Sequence, residues 1–438
     1  MNGLLLLLFV WFSFSVNASE AVLPSPLTLS AALAQAENPR HFELQIINHD
    51  LDELSALSSA QLAADDVTVN LEGRISKVGV SDLGDPDDDN DSAVSLFLRK
   101  PLYDFGSSDQ SEHLIKLQIG TKLLGKKLLI QQRKLRILEK YYAVLNADNE
   151  FLRHNESLAI GFIRFDRARE NTELGLSSEL EVLRLQSLYE VIRQQRYNAE
   201  NQQRLTRTIL SEELGFPQQP VDELEVPKIQ LDRPIIDDVD ELIEQAFKNS
   251  IALKITQNKI ASALQSIAVA DSKDSAKLDL ELEVSDYVRG SSRRDDWRAT
   301  IYFDFPLYSG NRSDSSVQRA RAIHARTIGQ FEQEKSRLRL EVLELWQNIR
   351  QQTLVVQGAL IDLDYRDLNL DKSRAEYELE FQTDLGDSMV NFSNSRANRF
   401  QAEYALSLVW YKLEALVGKS YLDKMSTELS AQNLEKQQ

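Results

Sequence analysis

Cysteine is absent from the 438 residues, which excludes a disulfide framework, a thiolate metal centre and an N-terminal lipid anchor through cysteine. Proline and glycine are scarce, at 10 and 16, so there are few points at which a helix must break. Positive charge is in deficit: 50 Lys and Arg stand against 68 Asp and Glu, a net charge of −18. Nucleic acid demands a basic footprint, so this balance argues against it as a partner. A solvated helical surface or an acidic conduit fits better. Long apolar runs are missing too. After the first residues nothing approaches the roughly 18 apolar residues of a membrane-spanning helix, which leaves a β-barrel as the way for a processed chain to cross a bilayer.

The one apolar run, Leu4 to Phe14, precedes Val16-Asn17-Ala18, a small-residue cleavage pattern. Residues 1–18 are therefore expected to be a secretory signal peptide. No basic residue precedes the run, and a retained anchor is the alternative.

A repeat organises the rest. Ala93-Val94-Ser95-Leu96-Phe97-Leu98-Arg99-Lys100-Pro101-Leu102-Tyr103-Asp104-Phe105-Gly106 resembles Ala299-Thr300-Ile301-Tyr302-Phe303-Asp304-Phe305-Pro306-Leu307-Tyr308-Ser309-Gly310. Each is a strand-like run, then Pro-Leu-Tyr, then Gly, then a long helical pattern. Upstream, Leu33-Ala34-Gln35-Ala36 and Ile243-Glu244-Gln245-Ala246 open comparable helices. A repeat overrides a domain count made from length. The expected limits are a first repeat over 19–214, a connector over 215–238 holding Pro217, Pro220, Pro227 and Pro234, a second repeat over 239–418, and a tail over 419–438.

Four segments alternate with period two, the strand signal. Leu278, Leu280, Leu282 and Val284 interleave with Asp279, Glu281, Glu283 and Ser285, and Ile301, Phe303 and Phe305 with Thr300, Tyr302 and Asp304. Val67, Val69 and Leu71 begin a third run, and the Ala93 segment is the fourth. The apolar set is expected to face lipid. Pro101 and Pro306 are expected to end their strands. Gly106 and Gly310 permit the redirection, and Ser107 and Ser313 are expected to cap the helices that follow.

Between Ser107 and about Glu173 no proline occurs, and Leu114, Leu117, Leu124, Leu128, Leu135, Leu138, Tyr142, Leu145 and Leu152 form an a/d ladder. A second ladder of Leu338, Val342, Leu345, Ile349, Val356, Leu360 and Leu363 lies between about Ser313 and Phe381. Such spacing predicts coiled-coil packing. The fold class is mainly α with a membrane β-barrel portion. Four strands cannot close a barrel, because open edges are not viable in lipid. Three copies give twelve strands, and two copies are the geometric alternative.

The paired Pro-Leu-Tyr…Gly junctions, the duplicated halves and the signal peptide together resemble the TolC-type outer-membrane efflux proteins, over about Leu27 to Gly418. The resemblance implies a homotrimer with a twelve-stranded barrel in outer-membrane lipid and a helical tunnel through the periplasm. It further implies docking to a periplasmic adaptor protein and an inner-membrane transporter, in drug efflux or in type I secretion. In the turn Glu173 to Glu181, Gly175 and Glu181 match the family's tip, and the resemblance assigns Gly175, Leu176, Ser177 and Glu181, with Leu385 and Gly386 of the second turn, to adaptor docking. The second turn departs from the family. Its glycine sits later, and positions that carry aperture carboxylates in some members read Ser388 and Asn391 here. Asp384 and Asp387 are candidates for that acidic ring.

The acidic loop Asp82 to Asp91 has Asp-x-Asp spacing, but Asn90 and Leu96 occupy the glycine and glutamate positions of a calcium loop. Arg289, Arg293 and Arg294 in the opposite loop are placed to touch anionic headgroups, and Trp297, Tyr287, Tyr302, Tyr103 and Tyr308 suit an aromatic girdle. The histidines (His41, His49, His113, His154, His324) are scattered, and no His-Glu-x-x-His, Gly-x-Ser-x-Gly or phosphate-binding glycine loop occurs. No enzyme, cofactor or metal is expected. A rival of another class is a soluble periplasmic coiled-coil adaptor or scaffold protein, whose strands would form a small dry sandwich.

Overall fold

The computed structural model describes residues 23–79, 90–233, 238–288, 295–379 and 384–418. The expected signal peptide, most of the acidic loop, Arg289, Arg293, Arg294 and the 419–438 tail lie outside the described residues. The first half runs through helices Leu29–Ala34 (α1) and Phe42–Ala63 (α2), strands Thr68–Arg74 (β1) and Ala93–Tyr103 (β2), and helices Ser107–Glu173 (α3) and Glu179–Leu214 (α4). The second half repeats that order with Val239–Asn249 (α5), Ile251–Asp271 (α6), Lys277–Tyr287 (β3), Trp297–Asp304 (β4), Arg312–Glu378 (α7) and Leu385–Val417 (α8). The helix expected before each strand pair is two helices. Asn38-Pro39 breaks the first, and Ser250, whose Oγ accepts from Leu253 N–H at 3.2 Å, restarts the second.

Both α3 and α7 have 67 residues, about 100 Å at 1.5 Å per residue. Each folds back on its shorter partner as an antiparallel hairpin, and α6 and α8 pack against α3. Burial is concentrated at mid-height. One apolar cluster joins Ile137, Leu138, Tyr141 and Leu145 of α3 to Leu210 and Leu214 of α4, with Leu27 and Val221 beside them. A second joins Leu242 and Ala246 of α5 to Leu338, Val342 and Ile349 of α7 and Leu406 and Leu413 of α8. Tyr142 and Tyr404 stack at 4.7 Å between centroids and bind the halves together. Of the α3 ladder, Leu138, Tyr142 and Leu145 are buried, whereas Leu152 further along is 48% exposed.

The strands form one antiparallel sheet in the order β1-β2-β3-β4, so the two hairpins meet through β2 and β3. Pro101 does not end its strand. It pairs with Asp279 beside a register shift that leaves Leu102 unpaired, and such a bulge is where a residue lacking N–H is tolerated inside a sheet. The second strand does stop at Asp304, short of Pro306.

Candidate functional site

Cross-strand register sorts the sheet into two faces. One carries the rows Leu71–Leu96–Val284–Trp297, Val69–Leu98–Leu282–Ala299, Lys100–Leu280–Ile301 and Tyr103–Leu278–Phe303. Its side chains are largely uncovered, with Ile301 62% and Phe303 64% exposed. Phe305, just past the end of β4, is exposed as well. The other face is ionic. Arg99 donates to Glu281 at 2.5 Å, Tyr302 Oη lies 3.3 Å from the same carboxylate, and Arg298 lies 3.9 Å from Glu283. Glu72 and Asp279 leave that face net acidic. An exposed apolar face of this extent marks a surface that water does not normally cover.

Two junctions turn strands into helices at one end of the sheet. Gly106 (φ 88°) and Gly310 (φ 68°) are both left-handed, the region that favours glycine. The caps differ from expectation. Asp104, not Ser107, holds the start of α3, its carboxylate accepting from Gly106 N–H at 3.0 Å and Ser108 N–H at 2.5 Å. Ser313 lies inside α7, which starts after Asn311 without a side-chain cap. Leu307 and Tyr308 are almost wholly exposed, and Leu102 and Tyr103 about half.

At the opposite end of the helices, Gly175 (φ 73°) closes α3. Its N–H bonds Thr172 C=O at 3.0 Å and Leu176 N–H bonds Asn171 C=O at 2.7 Å, the paired pattern that satisfies a helix C-terminus. Ser178 then caps α4 by accepting from Glu181 N–H at 3.2 Å. Ser177 between them is half-buried. Arg184 grips the Glu181 carboxylate at 2.6 and 2.8 Å and holds it below the usual carboxylate range. Leu174, Leu176 and Leu180 are each more than 70% exposed, an apolar tip over an ion pair.

The second tip is built differently. Asp384 caps α8 by accepting from Asp387 N–H at 3.0 Å, and Arg164 of α3 donates to Asp384 at 2.6 Å and to Asp387 at 2.7 Å. Burial alone would raise the Asp384 carboxyl, but the Asp387 N–H and the Arg164 guanidinium outweigh it and hold it below its ordinary range. Gly386 is not a turn glycine: it lies in the first turn of α8, facing Ile160, with Leu385 half-buried beside it. Ser388, an aperture candidate, is buried between α7 and α8, 2.7 Å from Ser373 Oγ and 3.3 Å from Asn369. Asn391 is exposed. Nothing in the sequence pointed to Arg164, 220 positions from its partner.

At mid-height a polar joint fastens each hairpin to the helices before the strands. Asn38 Nδ2 donates to Leu214 C=O at 3.3 Å, and Asn249 Nδ2 donates to Val417 C=O at 2.5 Å. Left-handed glycines, Gly215 and Gly418, follow those carbonyls. Asn38 lies two residues after Gln35-Ala36 and Asn249 three residues after Gln245-Ala246, so the repeat marks the neighbourhood of both asparagines but offsets them by one position. In the first half, buried Arg133 adds bonds to Ala36 C=O at 3.1 Å and Glu213 C=O at 2.9 Å. Glu43, Glu213 and His41 lie close enough to suggest a metal trio, but the donor set is already committed. Arg136 bonds both carboxylates, and His41 Nδ1 accepts from Glu43 N–H at 3.3 Å to cap α2.

Fold and surface together define a chain with a helical-hairpin stalk and an open sheet that has one apolar and one ionic face. Solved structures share this architecture. The outer-membrane protein VceC of Vibrio cholerae is 13% identical, with a TM-score of 0.67 over 89% of this chain and 96% of that one. The outer-membrane channel OprN is 15% identical, with a TM-score of 0.71 and 90% of each chain covered. The MtrE outer-membrane channel of Neisseria gonorrhoeae, in its open state, is 12% identical with a TM-score of 0.68, covering 89% of this chain and 88% of that one. No protein-family model and no curated protein sequence matches the chain. The fold is that of the TolC-type outer-membrane efflux channels.

Proposed function

We propose that the chain is one protomer of an outer-membrane exit duct, a passive conduit reaching into the periplasm. The observation that carries the reading is the sheet: four strands, one exposed apolar face, one ionic face, and unpaired outer edges on β1 and β4. Such an edge in lipid must be closed by another strand, so three copies pairing β4 with the next β1 make a twelve-stranded barrel. Leu278, Leu280, Leu282, Ile301, Phe303 and Phe305 then meet lipid, and the ionic face lines the lumen.

The same reading makes residues 1–18 a signal peptide and 19–214 and 239–418 the two repeats around the connector. The tip Gly175, Leu176, Ser177 and Glu181, with Leu385 and Gly386, becomes the docking end for a periplasmic adaptor serving an inner-membrane efflux or type I secretion pump. The exposed leucines support it, since an apolar tip over a fixed ion pair suits a coiled-coil partner. Asp384 and Asp387, tied by Arg164, become the acidic constriction, with Asn391 beside them. A soluble adaptor or scaffold is disfavoured by the uncovered apolar face, because a dry sandwich needs a second layer over it.

Fractionation of a Gram-negative host expressing the full chain tests the proposal. The duct appears in the outer membrane as a heat-sensitive trimer that forms single channels in planar bilayers. Complete release by salt, with no conductance, overturns it.

A further inference from the structure

Within the four rows from Leu71 to Phe303 one residue breaks the apolar face, the next row outward holding Asp286 opposite Val94. Lys100 lies in register with Leu280 and Ile301, and it is the sole ionised side chain in the four rows from Leu71 to Phe303 among the described residues. Its neighbour Arg99, on the ionic face, is neutralised by Glu281 at 2.5 Å. Lys100 is exposed and makes no ion pair among the described residues. The next row toward the helices is Tyr103–Leu278–Phe303, and Tyr103 packs edge-to-face on Phe105 at 4.7 Å. Adjacent rows are two residues apart, about 7 Å along a strand. A lysine side chain spans roughly that distance and carries its ammonium from an apolar depth to the polar boundary.

We infer that Lys100 forms a binding subsite for the headgroup of an anionic phospholipid at the helical end of the barrel wall. The inference rests on the barrel reading above. The charge fits a lipid phosphate in particular. An uncompensated ammonium on a lipid-facing wall requires a counter-charge at the same depth, and no carboxylate of those rows supplies one. The row below it is aromatic, as expected at an interface, so the ammonium emerges beside Tyr103, where a headgroup phosphate accepts from it.

The test uses the full chain, as wild type, Lys100→Gln and Lys100→Arg. Each is offered equal phosphatidylglycerol and phosphatidylcholine with identical acyl chains, and retained lipid is counted by native mass spectrometry. Wild type and Lys100→Arg are expected to prefer phosphatidylglycerol by roughly fivefold, the effect of one lysine near an anionic headgroup, and Lys100→Gln to lose that preference. A preference retained by Lys100→Gln, or absent from wild type that floats with vesicles, overturns the subsite and leaves the barrel standing. Wild type that fails to float with vesicles overturns the barrel reading and the subsite together.

Discussion

Gly386 approaches Ile160 so closely that a Cβ added to the glycine would lie 2.7 Å from Ile160 Cγ2. No carbon pair tolerates that distance, so α8 rests on α3 only because position 386 has no side chain. The contact sits one turn from Arg164 and sets its reach to Asp384 and Asp387. Gly386→Ala is therefore expected to push the start of α8 off α3 and cost about 1–3 kcal/mol, although alanine is about 1 kcal/mol the better helix former. Thermal unfolding measures the cost, and single-channel recording the accompanying gain in open time. A variant as stable and as closed as wild type would show that the contact does not matter.

Arg164→Gln is expected to free the same joint without a steric clash. Its channels should open more readily while the oligomer keeps its melting temperature within a few degrees, since the two ion pairs are partly exposed. Unchanged gating in this variant separates the clamp from the aperture.

The clamp also has a pH signature. Asp384 is held below its ordinary value, so the stabilisation it contributes is present above the unfolded carboxylate pKa, about 4, and is lost as pH falls through the lowered folded value. Open probability should be flat between about pH 5 and 8 and rise only below about 4. A transition near neutrality would assign the gate to another group.

Opposite faces of β3 should respond differently. Leu282→Arg, in one of the two inner rows of the apolar face, is expected to cost about 2–4 kcal/mol and to lower trimer yield. Glu281→Gln is expected to preserve yield and shift the reversal potential toward anions, because it removes a carboxylate that the proposed barrel turns to its lumen. Equal loss of yield from both would contradict the assigned faces.

The mid-height joints predict a matched pair. Asn38→Ala and Asn249→Ala each leave a helix-terminal carbonyl without its donor, so each should cost about 1 kcal/mol, read by denaturant unfolding. A marked inequality would mean that the buried Arg133, which has no counterpart bond in the second half among the described residues, carries the first joint.

The sequence by itself determined the parts that repeat locally. Period-two alternation set the four strands and their faces, because successive side chains must point to opposite sides of a sheet. The shortage of proline and glycine allowed two 67-residue helices, and Gly106, Gly175 and Gly310 marked turns that need left-handed backbone. Tertiary structure alone decided what depends on partners far along the chain. It placed the β2–β3 pairing that welds the halves into one sheet, and the bulge that carries a strand past Pro101. It also brought Arg164 to Asp384 and Asp387 and hid Ser388 behind Ser373. The physical reason is range. Periodicity and turn chemistry act over a few residues, whereas a carboxylate chosen by an arginine 220 positions away is fixed only when two helices pack.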